Sequence, residues 1–145
     1  MSAAANIPTV IVKRKIAAPA QQLFDAWVNP ASLAEWMRPR SSATPSIVKV
    51  DAREGGAFEI VMHTPSGQVC HSGAYQIIDA PHRLVFTWNS VHAGQHDSLV
   101  TVEFRADGES TEVVITHEHL PEKVRDGHFA GWTELLESLA NTMST

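Results

Sequence analysis

The sequence predicts an α+β fold: a curved antiparallel sheet of about seven strands around a long C-terminal helix, with two short helices after the first strand. Three observations carry the prediction. Residues 121–143 repeat at helical spacing, which places Val124, His128, Trp132, Leu135, Leu136, Leu139 and Met143 on one stripe. Residues 47–119 instead alternate apolar with polar side chains and are cut by short turns, as half-buried strands are. These strands follow one another without intervening helices, which favours an antiparallel meander. A helix with one apolar stripe needs a sheet to lie against, so the sheet is expected to wrap it.

Taken in order, residues 9–16 form a strand, with Val10 and Val12 on one side in register with Arg14, and Ile11, Lys13 and Lys15 on the other. Ala18-Pro19 ends it, and proline suits a helix start. Leu23, Phe24, Trp27 and Val28 then make the stripe of a short amphipathic helix. Asn29-Pro30, a capping residue followed by proline, starts a second helix whose apolar side is Leu33, Trp36 and Met37. Two prolines and several hydroxyl residues mark 38–46 as a loop. Strands are expected at 47–51, 58–63, 69–78, 84–88, 100–104 and 113–118. The turns between them are Glu54-Gly55-Gly56, Pro65-Ser66-Gly67, residues 79–82, a longer loop at 90–97, and Asp107-Gly108. The last helix spans about twenty residues, or ~30 Å. Its polar face is Glu122, Arg125, Asp126, Glu134, Glu137, Ser138 and Asn141.

A chain of 145 residues fits one domain, expected over 7–145 after a disordered segment at 1–6. No apolar run reaches the ~20 residues that span a bilayer, so no membrane insertion is expected. The N-terminus lacks the basic start and apolar core of a secretory signal. One cysteine, Cys70, excludes an internal disulfide and a paired-cysteine zinc site, which fits a cytoplasmic location. A net charge of −5 without a basic block beyond Lys13-Arg14-Lys15 argues against a nucleic-acid partner.

Five segments carry a family resemblance across most of the chain. They are A-P-A-Q-Q-L-F-D-A-W at 18–27, L-A-E-W at 33–36, D-A-R-E-G-G-A-F at 51–58, G-A-Y-Q-I-I-D-A-P-H-R-L-V-F-T-W at 73–88 and G-W-T-E-L-L-E-S-L-A at 131–140. In this order and at this spacing the chain resembles the homologues of the activator of heat shock protein 90 ATPase, within the START-like (SRPBCC) helix-grip superfamily. One departure is Met37, where many members carry a second tryptophan. The resemblance implies a helix-grip fold and a cavity between sheet and helix that typically holds a small apolar ligand. It also implies two other roles: a polyketide cyclase-like or hydrolase enzyme acting on an aromatic substrate, or a stress-response co-chaperone that stimulates the heat shock protein 90 ATPase.

Alternation names the expected lining. It comprises Phe58, Ile60 and Met62, then Tyr75 and Ile77, then Leu84, Phe86 and Trp88, then Val100, Val102 and Phe104, then Ile115 and His117. Val124, His128, Trp132, Leu135 and Leu136 close it from the helix, with Trp36, Met37 and the 38–46 loop at its mouth. The same residues also suit plain core packing. Gly127 and Gly131, four apart in one helix, mark either a close approach of the backbone to a neighbour or ligand, or a frayed first turn. His117, His119 and His128 offer three imidazoles to a zinc ion, but single satisfied histidines explain them as well, so neither a metal nor a cofactor is expected. His92 and His96 fall in a polar loop and are expected to face solvent. Asp51 and Arg53 read as a structural pair; Arg38 and Arg40 read as solvated charges or as an anchor for an anion. No nucleophile motif occurs, so Tyr75, His117 and His128 are the acid–base candidates if the domain is an enzyme. The expected partner is a small hydrophobic molecule, lipid or aromatic, with a chaperone as the alternative, and the expected state a monomer or homodimer.

Overall fold

The computed structural model describes residues 9–39, 42–90 and 97–143. The chain runs β1 (Thr9–Ile16), α1 (Ala20–Val28), α2 (Pro30–Trp36), β2 (Ile47–Val50), β3 (Ala57–Thr64), β4 (Gly67–Asp79), β5 (Arg83–Trp88), β6 (Ser98–Asp107), β7 (Ser110–Glu118) and α3 (Arg125–Met143). A 3-10 turn at Glu122–Val124 leads into α3. The seven strands form one sheet in the order β1-β7-β6-β5-β4-β3-β2, and every pair is antiparallel. The α+β architecture follows the sequence expectation, including the long closing helix. The expected disorder at 1–6 and the positions of Arg40, His92 and His96 lie outside the described residues.

Local chemistry explains the punctuation. Asn29 caps α2: its side-chain oxygen accepts from the N–H groups of Ala31 at 2.9 Å and Ser32 at 3.1 Å, two donors that the helix cannot satisfy itself. Pro19 stands one residue ahead of α1 and accepts from Leu23 N–H at 3.2 Å. Gly108 closes the β6–β7 hairpin with φ +64°, in the left-handed region that glycine enters without strain. The β4–β5 turn contains a cis Ala80-Pro81 bond. In β1, Val10, Val12 and Ile16 are buried while Arg14 is exposed.

The sheet bends at β4. This strand pairs with β3 through residues 67–74 and with β5 through residues 75–79, and its register shifts between Tyr75 and Ile77. Gly73 sits at the bend. A Cβ there would collide with the Thr87 carbonyl oxygen and the Phe58 ring, so only a bare backbone fits. Beside it, Ala74 N–H donates to Thr87 Oγ1 at 2.9 Å. Beyond the bend, β2, β3 and the first half of β4 form a wing of the sheet, still tied to the end of β5 by the paired backbone bonds of Ser72 and Asn89 at 2.8 and 2.9 Å.

The core lies between the sheet and the three helices. Leu23, Leu33, Trp36, Leu84, Val100, Val102, Ile115, Leu136 and Leu139 are among its fully enclosed side chains. An aromatic cluster centres on Trp27, whose ring lies 4.8 Å from Trp36 and 6.1 Å from Trp132. Trp27 meets Trp36 and Phe104 edge-to-face, as ring quadrupoles prefer, and Trp132 at a tilt of 30°.

Candidate ligand-binding cavity

The two halves of α3 differ. Leu135, Leu136, Leu139 and Ala140 are buried and seat its C-terminal half on the core. The N-terminal half carries Gly127 and Gly131, and a Cβ added at either would meet nothing within 4 Å. Facing that half is the wing of the sheet, through Met62 and His71. Between them opens a cavity of about 360 Å³, lined by Met62, His71, Trp88, Ser90, Lys123, Val124, Gly127, His128, Gly131, Trp132 and Leu135. The helix is intact through both glycines, which excludes the frayed first turn, and both are exposed where they border the cavity.

The walls are aromatic. Trp88 and Trp132 have ring centroids 5.2 Å apart, and His71 lies 4.9 Å from Trp88 with the rings inclined by 33°. A buried network ties the Trp132 indole to the Trp88 backbone. Trp132 Nε1–H donates to His117 Nδ1 at 3.0 Å. His117 Nε2 lies 2.7 Å from Ser98 Oγ, and Ser98 Oγ donates to the Trp88 carbonyl at 2.7 Å. The proton positions are forced. An indole N–H can only donate, so His117 Nδ1 accepts; a carbonyl can only accept, so the Ser98 hydrogen is committed to it; Nε2 therefore carries the imidazole proton and donates to Ser98. His117 is fully buried, and burial, with the nearby His128 as a lesser cause, lowers its pKa from 6.5 to about 3. It is a neutral bridge between two cavity walls.

His128 approaches His117 edge-on, with centroids 5.2 Å apart, and its Nδ1–H donates to the Val124 carbonyl at 2.9 Å. His119 does not join them. Its φ of +66° turns the chain at the end of β7, so it is exposed where His117 is buried. Among the described residues no three His, Cys, Asp or Glu side chains converge on a metal position.

The expected lining residues divide into three groups. Met62, Trp88, Val124, His128, Trp132 and Leu135 border the cavity. Met37, Phe58, Ile60, Tyr75 and Phe86 surround a separate void of only about 10 Å³, deep against α1 and α2. Burial there raises the Tyr75 phenol to about 12. Trp36, Leu84, Val100, Val102, Phe104, Ile115, His117 and Leu136 are core, Ile77 is half-buried, and none of these borders either space. The mouth also differs from expectation. Trp36 and Met37 are enclosed: the Trp36 indole N–H donates to Ala26 O at 2.9 Å, and Ser46 Oγ donates to Met37 O at 2.7 Å, which draws the loop over them. Arg38 donates to Ala43 O at 3.0 Å and so braces its own loop. The exposed lining residues are instead Lys123, in the 3-10 turn, and Gly127 and Gly131, which form the cavity's rim. Sequence reasoning had not assigned His71, Ser90 and Lys123 to the site; the alternation of β4 puts His71 on the face opposite exposed Cys70 and was the available signal.

The model of the family described as "Activator of Hsp90 ATPase homolog 1-like protein" matches residues 17–144. The chain belongs to this family. Among curated proteins, none matches it in sequence. Solved structures similar to this activator-homologue chain include a protein from Chromobacterium violaceum, at 24% identity and TM-score 0.79, covering 92% of this chain and 96% of that one. An HSP90 activator from Plasmodium falciparum is similar at 24% identity and TM-score 0.76, covering 94% and 96%. DynU16, from the dynemicin biosynthetic locus, is similar at 16% identity and TM-score 0.80, covering 95% of this chain and 48% of its own. At these identities the likeness shows a shared fold, which hosts different functions. No helix among the described residues of this family member is long and apolar enough to cross a membrane.

Proposed function

We propose that this domain binds a small apolar molecule in the cavity between the N-terminal half of α3 and the wing of the sheet. The observation that carries the reading is the pair Gly127 and Gly131. Each glycine within a helix costs about 1 kcal/mol relative to alanine, and neither is needed for packing, because the space beside each is open. What the pair supplies is room, bounded by indole rings and aliphatic side chains. A volume of about 360 Å³ falls in the range of small-molecule sites, ~300–1,000 Å³.

Of the three acid–base candidates, only His128 borders the cavity. His117 has both ring nitrogens engaged, and Tyr75 lies in the core. The geometry therefore supports binding over turnover. The test is thermal-shift titration with fatty acids, flavonoids and lipids on the wild type and on Gly131→Leu. The substituted leucine fills the space without strain, so the variant should fold and melt no lower than the wild type, yet lose the ligand-induced shift. A wild type that no apolar class stabilises, or binding unchanged in the variant, would refute the reading.

A further inference from the structure

We propose that the molecule this cavity accepts is a planar aromatic acid, its rings against Trp88 and Trp132 and its carboxylate at Lys123. The inference rests on the binding reading above and names the ligand class. Two features of the lining carry it. The first is shape. Trp88 and His71 form an aromatic wall on the sheet side; on the α3 side Trp132, inclined by 52° to Trp88, adjoins a strip whose ends, Gly127 and Gly131, bring no side chain to the lining. Four residues at 1.5 Å rise make that strip ~6 Å long, about the width of a ring system. Ring stacking on indoles favours a flat π-face over a flexible alkyl chain. The second feature is charge. The chain has 16 acidic against 11 basic side chains, yet the lining contains one lysine and no carboxylate. Lys123 is exposed at the rim and forms no ion pair among the described residues. The rim also adjoins the N-terminal end of α3, where the helix dipole attracts an anion while exposed Glu122 and Asp126 oppose it. A ligand with an aromatic body and one carboxylate matches both features. A neutral polycycle leaves Lys123 unused, and a fatty acid leaves the aromatic wall unused.

The experiment is isothermal titration calorimetry at pH 7.5 with three probes: 2-naphthoate, 2-naphthalenemethanol and decanoate, each on the wild type, Lys123→Gln and Gly131→Leu. Because Lys123 is exposed at the rim, its substitution leaves the fold intact. On the wild type, 2-naphthoate is expected to bind about five-fold more tightly than 2-naphthalenemethanol, the scale of one part-exposed ion pair, and more tightly than decanoate. In Lys123→Gln the advantage of the acid over the alcohol should vanish while the alcohol binds as before. Equal affinity of acid and alcohol on the wild type, or tightest binding by decanoate, would overturn the ligand class and leave the cavity reading standing, provided Gly131→Leu still abolishes binding. Failure of all three probes on the wild type would overturn the ligand class and count against the cavity reading too.

Discussion

Acid should unfold this domain through His117. The imidazole's pKa is about 3 when folded and near 6.5 when unfolded. Between those values the unfolded chain holds a proton that the folded chain does not. Stability from this group is therefore complete above pH 6.5 and falls as pH drops toward 3, by about 1.4 kcal/mol per pH unit in that window. At pH 4.5, two units below the unfolded value, the loss is about 2.7 kcal/mol. The network supplies the structural reason. A second proton on His117 would sit on Nδ1 and point at the Trp132 N–H, donor against donor, so the folded protein resists protonation until the bond breaks. The assay is urea denaturation at pH 7.5 and 4.5 on the wild type and on His117→Gln, which keeps one acceptor and one donor but cannot be charged. Carboxylate titration is common to both and cancels in the comparison. The wild type should lose about 2.7 kcal/mol more than the variant between the two pH values. Equal losses would show that His117 is not held neutral, and the tautomer derived for the network would fall with it.

Three other outcomes follow from the same geometry. Gly73→Ala should destabilise by about 3 kcal/mol, because the new methyl meets the Thr87 carbonyl and the Phe58 ring and the bend must open; urea midpoints measure it, and a loss under ~1 kcal/mol would contradict the close approach. Gly131→Ala should do the opposite and raise stability by up to ~1 kcal/mol, since helix propensity improves and nothing is struck; a drop in melting temperature would reveal a contact that the structure does not show. Amide hydrogen exchange should be faster from Arg125 to Gly131 than from Trp132 to Ala140, where the buried side chains lie, and a cavity ligand should slow the first segment selectively; uniform protection along α3 would argue against two differently held halves.

The fold was legible because each strand advertises its inner face. Phe58, Ile60 and Met62, or Val100, Val102 and Phe104, recur at every second position, and turn residues such as Asp107-Gly108 mark the joins. Alternation says which face points inward but not what is found there, and this limited the reading of the site. Met62 and Trp88 border the cavity, whereas Phe86, two residues before Trp88 on the same face of β5, is packed against Phe58 at 5.4 Å. The difference is set by the bend at Gly73, a contact between segments far apart in sequence. Lys123 was hard to place for a different reason: it lies in a 3-10 turn, whose three residues per turn move it off the stripe that an α-helical period of 3.6 predicts. Trp36 and Met37 beside a proline-rich loop suggested a mouth, but the bonds from Trp36 to Ala26 and from Ser46 to Met37 close that end.

Trp132 stands where the two halves of α3 meet, and its position helps to hold the cavity open. On its C-terminal side the leucines anchor the helix to the core; on its N-terminal side the glycines leave it with little to pack against. An apolar gap beside such a helix would be expected to collapse, since dispersion and hydrophobic burial both favour closing it. Two constraints oppose collapse. The indole of Trp132 cannot tilt inward without leaving His117 Nδ1, a buried acceptor whose abandonment costs about 1–3 kcal/mol. Trp88 is tied through its own carbonyl to the same chain by Ser98. The opposing walls are thus fixed to one another by directional bonds rather than by contact, which allows space to persist between them. A polar network in an otherwise apolar core is readily taken for a catalytic site, and here its geometry fits a strut: every proton is committed, the bridging imidazole is neutral, and none of its groups other than the two indoles touches the cavity.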